Sequence, residues 1–157
     1  MADINRIFVS HIHEDDEHVT GMRRLLKDGG HEVQISTVDS TNPNNAHNEA
    51  YIKSDILGPK IDWAGTMVVL ISPGTKDSPW VDWEIERAQQ QDMRIVGVWT
   101  PGASECDVPQ GLTEYADAVV GWQADRIEGA IAGMINNWTG SDGAERDRQA
   151  IRQYGCK

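Results

Sequence analysis

The run TMVVLIS, residues 66–72, limits the fold more than any other stretch. It carries no polar side chain between Met67 and Ile71. A strand that is apolar on both faces has to be covered on both faces, which places it in the middle of a parallel sheet. Four other short runs share its apolar, β-branched character: RIFVS (6–10), HEVQI (31–35), RIVGVW (94–99) and ADAVVGW (116–122).

Helical patterns alternate with these runs. Residues 15–27 carry Val19, Met22, Leu25 and Leu26 at helical spacing, followed by Gly29 and Gly30 as a stop. Residues 50–57 read as a second helix ended by Gly58-Pro59, and 81–91 as a third. Residues 101–114 read as a loop with one short turn. Residues 126–138 read as the last helix, with Ile127, Ala130, Ile131, Met134 and Ile135 on one side. The resulting order predicts an α/β fold: a flavodoxin-like, doubly wound, five-stranded parallel sheet with helices on both faces. Residues 1–138 form the expected domain, and 139–157 a polar tail with room for one short helix.

Composition narrows the function. A chain of 157 residues with 39% apolar side chains and six tryptophans fits one domain with a full core. No run approaches the roughly 18 apolar residues of a membrane span. The start MADINRIFVS lacks the basic and long apolar parts of a secretory signal. Cys106 and Cys156 are too few for a disulfide framework or a zinc site. These features predict a cytoplasmic protein with free thiols and no membrane partner. A net charge of −11 argues against nucleic acid, whose phosphates attract basic faces. It leaves room for a small anionic ligand held by a local cluster of donors, and otherwise serves solubility.

In such sheets ligands sit at the carboxyl ends of the strands. Three segments leave those ends. The first, SHIHEDDEH (10–18), holds three histidines and four acids. It can cap the first helix through Asp15 or Asp16, contact a nucleotide through Ser10 and His11 at the strand end, or hold a divalent ion through His11 and His13 with an acid. An acidic pair after the first strand also marks receiver domains. Those need an aspartate after the third strand and a lysine after the fifth, where this chain reads LIS and GWQ. The second segment, VDSTNPNNAHNEA (38–50), is rich in turn formers. It is either a binding loop, with Asp39 as the candidate contact, or a plain connection.

The third is SPWVDWEIERAQQ (78–90). Ser78 or Asp77 can cap a helix there, and Pro79 suits its first position. Trp80 and Glu84 lie four apart and share a helix face. A carboxylate beside an indole suits chemistry at an anomeric carbon. The carboxylate stabilises positive charge or grips ribose hydroxyls, and the ring stacks on a flat base. The plainer reading makes Trp80 and Trp83 core residues, and Glu84 a solvated acid or a partner of Arg87 or Arg94.

RIFVSH at the N-terminus, VVLISPG, the S-x-W-V-x-x-E-I pattern of Ser78–Ile85 and the following RIVGVW together resemble the TIR domain. The SH start is most similar to the bacterial TIR-like subgroup of Thoeris-type antiphage systems. The resemblance covers roughly residues 5–138. It implies cleavage of NAD+ at the nicotinamide–ribose bond and release of a cyclic ADP-ribose-type messenger that activates an effector. NAD+ is then substrate, with no resident cofactor or metal. Glu84 matches the family's catalytic glutamate and Trp80 its aromatic neighbour. Ser10, His11 and His13 fall in the segment that lines the nucleotide site, and Asp39 in the one through which TIR domains associate. Self-association is expected, with a downstream effector reached through a diffusible nucleotide. That second segment lacks the basic and Gly-Pro features common in the wider family.

Two other classes compete. A TIR fold can serve as an adaptor without catalysis, which has no need of a Trp80–Glu84 pair. A nucleoside deoxyribosyltransferase-like enzyme uses a related fold and also a glutamate, and exchanges bases on deoxynucleosides.

Overall fold

The structure is a computed structural model that describes residues 5–12, 16–35, 58–101, 103, 108–140 and 145–146. Its sheet is built from β1 (Arg6–Ser10), β2 (Glu32–Ile35), β3 (Thr66–Ile71), β4 (Arg94–Trp99), β5 (Ala118–Val120), β6 (Trp138–Thr139) and β7 (Glu145–Arg146). Their spatial order is β2-β1-β3-β4-β5-β6-β7. Pairing is parallel from β2 through β6, and β7 runs antiparallel to β6. The expected doubly wound α/β class is present. The sheet exceeds the expected five strands by the short β6 and β7.

All six residues of β3 are buried, between β1 and β4. Two apolar layers cover it. On one face α1 (Asp16–Asp28) and α5 (Ala124–Ile131) pack Val19, Met22, Leu26, Ile127, Ala130 and Ile131 onto Val68, Leu70, Val96 and Val98. On the other, α2 (Gly58–Trp63), α3 (Pro79–Gln90) and α4 (Gln110–Tyr115) pack Ile61, Val81, Ile85, Ala88 and Leu112 onto Phe8, Met67, Val69 and Ile71. The alternation of Val68 and Leu70 with Met67, Val69 and Ile71 is the period-two signature of a strand lined by both layers.

Helix ends explain where the sequence reading departs from the structure. α1 stops as expected, in a left-handed turn at Gly30 (φ 87°). His31 N–H reaches Leu26 O at 3.1 Å and Gly30 N–H reaches Lys27 O at 2.9 Å. This double bond pattern satisfies the last carbonyls of a helix. α5 ends the same way at Gly133 (φ 85°), through Met134 N–H to Gly129 O at 2.9 Å. The expected helix over 126–138 is therefore a helix that closes at Ile131, followed by a turn and a strand. Met134 and Ile135 continue the apolar spacing, yet Met134 is 83% exposed. Gly58-Pro59 begins a helix, as proline is suited to the first turn, where its missing N–H costs nothing. The helix expected over 50–57 lies outside the described residues. The end of the segment read as loop is helical, in a helix that spans Gln110–Tyr115.

The tail joins the sheet. Trp99 Nε1 donates to Thr139 O at 2.9 Å, Trp138 Nε1 to Ala116 O at 3.4 Å and Thr139 Oγ1 to Val119 O at 3.1 Å. β6 spans the expected boundary after residue 138, and Glu145–Arg146 beyond it is strand.

Arg94 fastens β4 to the end of α5. Its Nε donates to Ala130 O at 2.6 Å, and its Nη2 to Ile135 O at 2.8 Å and Asn136 Oδ1 at 2.7 Å. A cation at a helix C-terminus also meets the negative end of the helix dipole. Arg94→Ala is expected to cost about 2 kcal/mol, seen as a fall in Tm of roughly 4–8 °C by calorimetry. An unchanged Tm would remove this contact from the set that holds α5.

Candidate functional site

The site is built where β1 and β3 end. Side chains alternate along a strand, so Ser10 shares the face of Phe8, which lies in the layer covered by α2, α3 and α4. Register places Ser10 beside Val69 of β3. Beyond β3 the chain turns sharply. Ser72 N–H donates to Thr75 Oγ1 at 2.9 Å, and Thr75 Oγ1 donates to Leu70 O at 3.3 Å. Gly74 takes φ 98°, and a methyl group there would lie 3.5 Å from Ile12 Cδ1. The segment after β1 and the turn after β3 are therefore neighbours.

That turn leads into α3. Ser78 is its N-cap, with Oγ accepting from Val81 N–H at 3.2 Å, and Pro79 opens the helix. Of the two expected caps, Ser78 does the work. Val81, Glu84, Ile85 and Ala88 form the buried stripe, at the three- and four-residue spacing of one helix face. A carboxylate thus stands in a row of apolar contacts. Glu84 is 0% exposed. Ser10, also 0% exposed, donates its hydroxyl to Glu84 Oε1 at 2.7 Å. The two residues are 74 positions apart in sequence.

Glu84 is neither solvated nor paired with the arginines considered for it. Arg87 makes a two-pronged contact with Asp62 of α2, Nε to Oδ1 at 3.0 Å and Nη2 to Oδ2 at 2.6 Å. The Asp62 hydrogen bond raises the Arg87 guanidinium above its ordinary value, against the lowering effect of burial. Arg94 is engaged at the end of α5. Trp80 and Trp83 are half-buried against the core that contains Val81 and Ile85. His11 is half-buried directly after Ser10. His13 and Asp39 lie outside the described residues.

Three buried hydroxyls at this edge were not singled out from sequence: Ser72, Thr75 and Thr100. Thr100 donates both N–H, at 3.0 Å, and Oγ1, at 2.7 Å, to Ile71 O. Polar residues closing the apolar runs at Ile71-Ser72 and Trp99-Thr100 were the available signal. Among the described residues, one cleft runs along α3 and another lies at the amino ends of β4 and β5. One, of about 240 Å³, is lined by Asp82, Ile85, Glu86, Gly111 and Tyr115 among others. The other, of about 380 Å³, runs past Gln89, Met93, Ile95 and Asp117. Glu84 and Ser10 line neither. Among the described residues, no three His, Cys, Asp or Glu side chains are grouped to hold a metal ion, and no helix is long and apolar enough to cross a membrane. The metal reading of residues 10–18 depends on His13.

Solved structures share the fold at low identity. A pilus assembly-related protein from Burkholderia pseudomallei K96243 matches with TM-score 0.54 and 16% identity, over 83% of this chain and 91% of that one. A conserved protein from Enterococcus faecalis V583 matches with TM-score 0.56 and 10% identity, over 85% and 100%. A CMP N-glycosidase from Clostridium botulinum matches with TM-score 0.51 and 12% identity, over 78% and 95%. No curated protein sequence matches. The profile described as "Thoeris protein ThsB, TIR-like domain" matches residues 8–105, a span that holds the end of β1, β3, the turn, α3 and β4. The chain therefore belongs to the TIR-like family of the Thoeris protein ThsB, and its role is of the TIR type in antiphage defence.

Proposed function

We propose that this protein cleaves NAD+ at the nicotinamide–ribose bond and releases a cyclic ADP-ribose-type nucleotide as an antiphage signal. The observation that carries this reading is the buried Glu84 carboxylate at the carboxyl edge of the parallel sheet, in a chain of this family. Breaking the glycosidic bond sends its electron pair to the nicotinamide nitrogen, which leaves neutral. The ribose carbon becomes cation-like. A carboxylate withdrawn from water stabilises that charge far better than a solvated one, because the local dielectric is low. Glu84 supplies this charge and orients the ribose hydroxyls. A nitrogen of the adenine then attacks the same carbon, and one proton is released as the ring closes. Attack by water instead gives linear ADP-ribose, so a dry site favours the cyclic product.

Trp80, one helical turn before Glu84, is the proposed stacking surface for nicotinamide or adenine. His11 and His13 after β1, with Asp39 after β2, are the proposed contacts to the rest of the nucleotide. Glu84 is covered in the single chain, so access requires its surroundings to move. Self-association is the proposed source of that movement. The downstream partner is an effector that binds the released nucleotide. The likeness to a CMP N-glycosidase is one of fold, and brings CMP in as a second nucleotide to assay.

Concentrated protein incubated with NAD+ is expected to yield nicotinamide and a product of the mass of cyclised ADP-ribose, separated by chromatography. Glu84→Gln keeps the shape and removes the charge, and should lower turnover at least about 100-fold. Turnover equal to the wild type would end the assignment. Intact NAD+ with wild-type protein, combined with cleavage of CMP, would move the substrate class. Trp80→Ala is expected to raise the share of linear over cyclic product, measured in the same separation. Specific activity should climb with protein concentration. A flat dependence would show that one chain suffices.

A further inference from the structure

We propose that Ser10 is a positioning residue that holds Glu84 ionised and in one orientation. It thereby acts on the reaction through that carboxylate rather than by touching the nucleotide. This rests on the proposed role of Glu84. The Ser10 Oγ to Glu84 Oε1 separation of 2.7 Å lies in the range of hydroxyl–carboxylate bonds, which are shorter and stronger than neutral ones. Both side chains are fully buried. Burial alone favours the protonated acid, whereas a donor bonded to the charged form favours the carboxylate. Ser10 is such a donor. It is also rigidly placed: Phe8 and Val9 before it are buried, and its backbone is held in parallel register against Val69. α3 is set independently by the Ser78 cap and the turn at Thr75. The hydroxyl joins the end of β1 to the second turn of α3, at the atom that carries the charge.

Ser10→Ala and Ser10→Thr separate this role from the alternatives. With NAD+, Ser10→Ala is expected to lower kcat roughly 10- to 100-fold while KM stays within about threefold. The acid limb of the pH–rate profile should move up by about one pH unit, because a bond to the ionised form is lost. Ser10→Thr keeps a hydroxyl on a β-branched residue suited to a strand, and should restore both. A raised KM with unchanged kcat would make Ser10 a direct substrate contact and overturn the proposal. So would a lower kcat with an unmoved acid limb.

A second measurement does not need NAD+, and stands even if the wild type leaves it intact. The thermal penalty of Ser10→Ala is read against pH, in the wild type and in Glu84→Gln. Ser10 stabilises the ionised form, so its contribution is present above the carboxylate's titration and fades as pH falls through it. The penalty should therefore shrink on acidification in the wild type and be flat in Glu84→Gln. Equal penalties at every pH in both backgrounds would refute the bond as a charge-holding contact. A failure of NAD+ turnover alone would instead refute the substrate.

Discussion

Everything in this fold follows from the need to bury β3 on both faces. A six-residue strand without a polar side chain from Met67 to Ile71 can only lie between two apolar layers. Neighbouring strands must therefore be parallel and joined by helices that cross over the sheet. Each crossover returns the chain to the same edge, which gathers the ends of β1, β3 and β4 together. Ser10, Ser72 and Thr100 sit there as the first polar side chains after apolar strands. The edge is where a chain of this kind has to change from strand to loop, and where buried hydroxyls find carbonyls left over from the ladder. Thr100 on Ile71 O and Thr75 on Leu70 O are such pairs. They give α3 a fixed starting point, and with it the height of Glu84 above the sheet.

Local physics was legible in the sequence. The apolar runs named β1 through β5, because the period of two and β-branching act within a few residues. Ser78 and Pro79 gave the start of α3 for the same reason, since a cap is a contact between near neighbours. Glu84 could be placed on one face with Trp80 from spacing alone. What escaped was decided at a distance or by backbone sign. Met134 and Ile135 continued the spacing of α5, but Gly133 in a left-handed turn outweighs two apolar side chains. β6 has only two residues and exists because Trp99 and Trp138 find carbonyl partners 40 and 22 residues away. No window along the chain contains such pairs. Gly58-Pro59 was ambiguous in principle, as proline both stops a helix and starts one.

The site shows the same division. Residue types and strand-end position marked Ser10, His11, Trp80 and Glu84 as candidates. The pairing of Ser10 with Glu84 spans 74 positions and depends on strand register. One residue of slip would turn Ser10 to the opposite face of the sheet, among Val68 and Leu70. The register is held by the central strand's apolar pattern, so the core sets the geometry of the carboxylate without touching it.

A fully buried carboxylate is expensive, and its surroundings indicate why a chain so rich in acids would keep one. With a net charge of −11, surface acids are plentiful and maintain solubility. Glu84 is set apart from them by its place in the stripe of Val81, Ile85 and Ala88. No solubility is gained there, and an apolar side chain would pack in that stripe without desolvating a charge. In the proposed reaction, removing the acid from water places its charge in a low dielectric, where a developing cation is stabilised most. An adaptor surface gains nothing from it, because partners meet exposed residues. Among the described residues Glu84 is the buried acid, and this burial supports the proposed chemistry over docking. The nearby arginines fit the same logic. Arg87 is taken up by Asp62 and Arg94 by the end of α5. Neither arginine is therefore the partner of Glu84, whose Oε1 accepts the Ser10 hydroxyl.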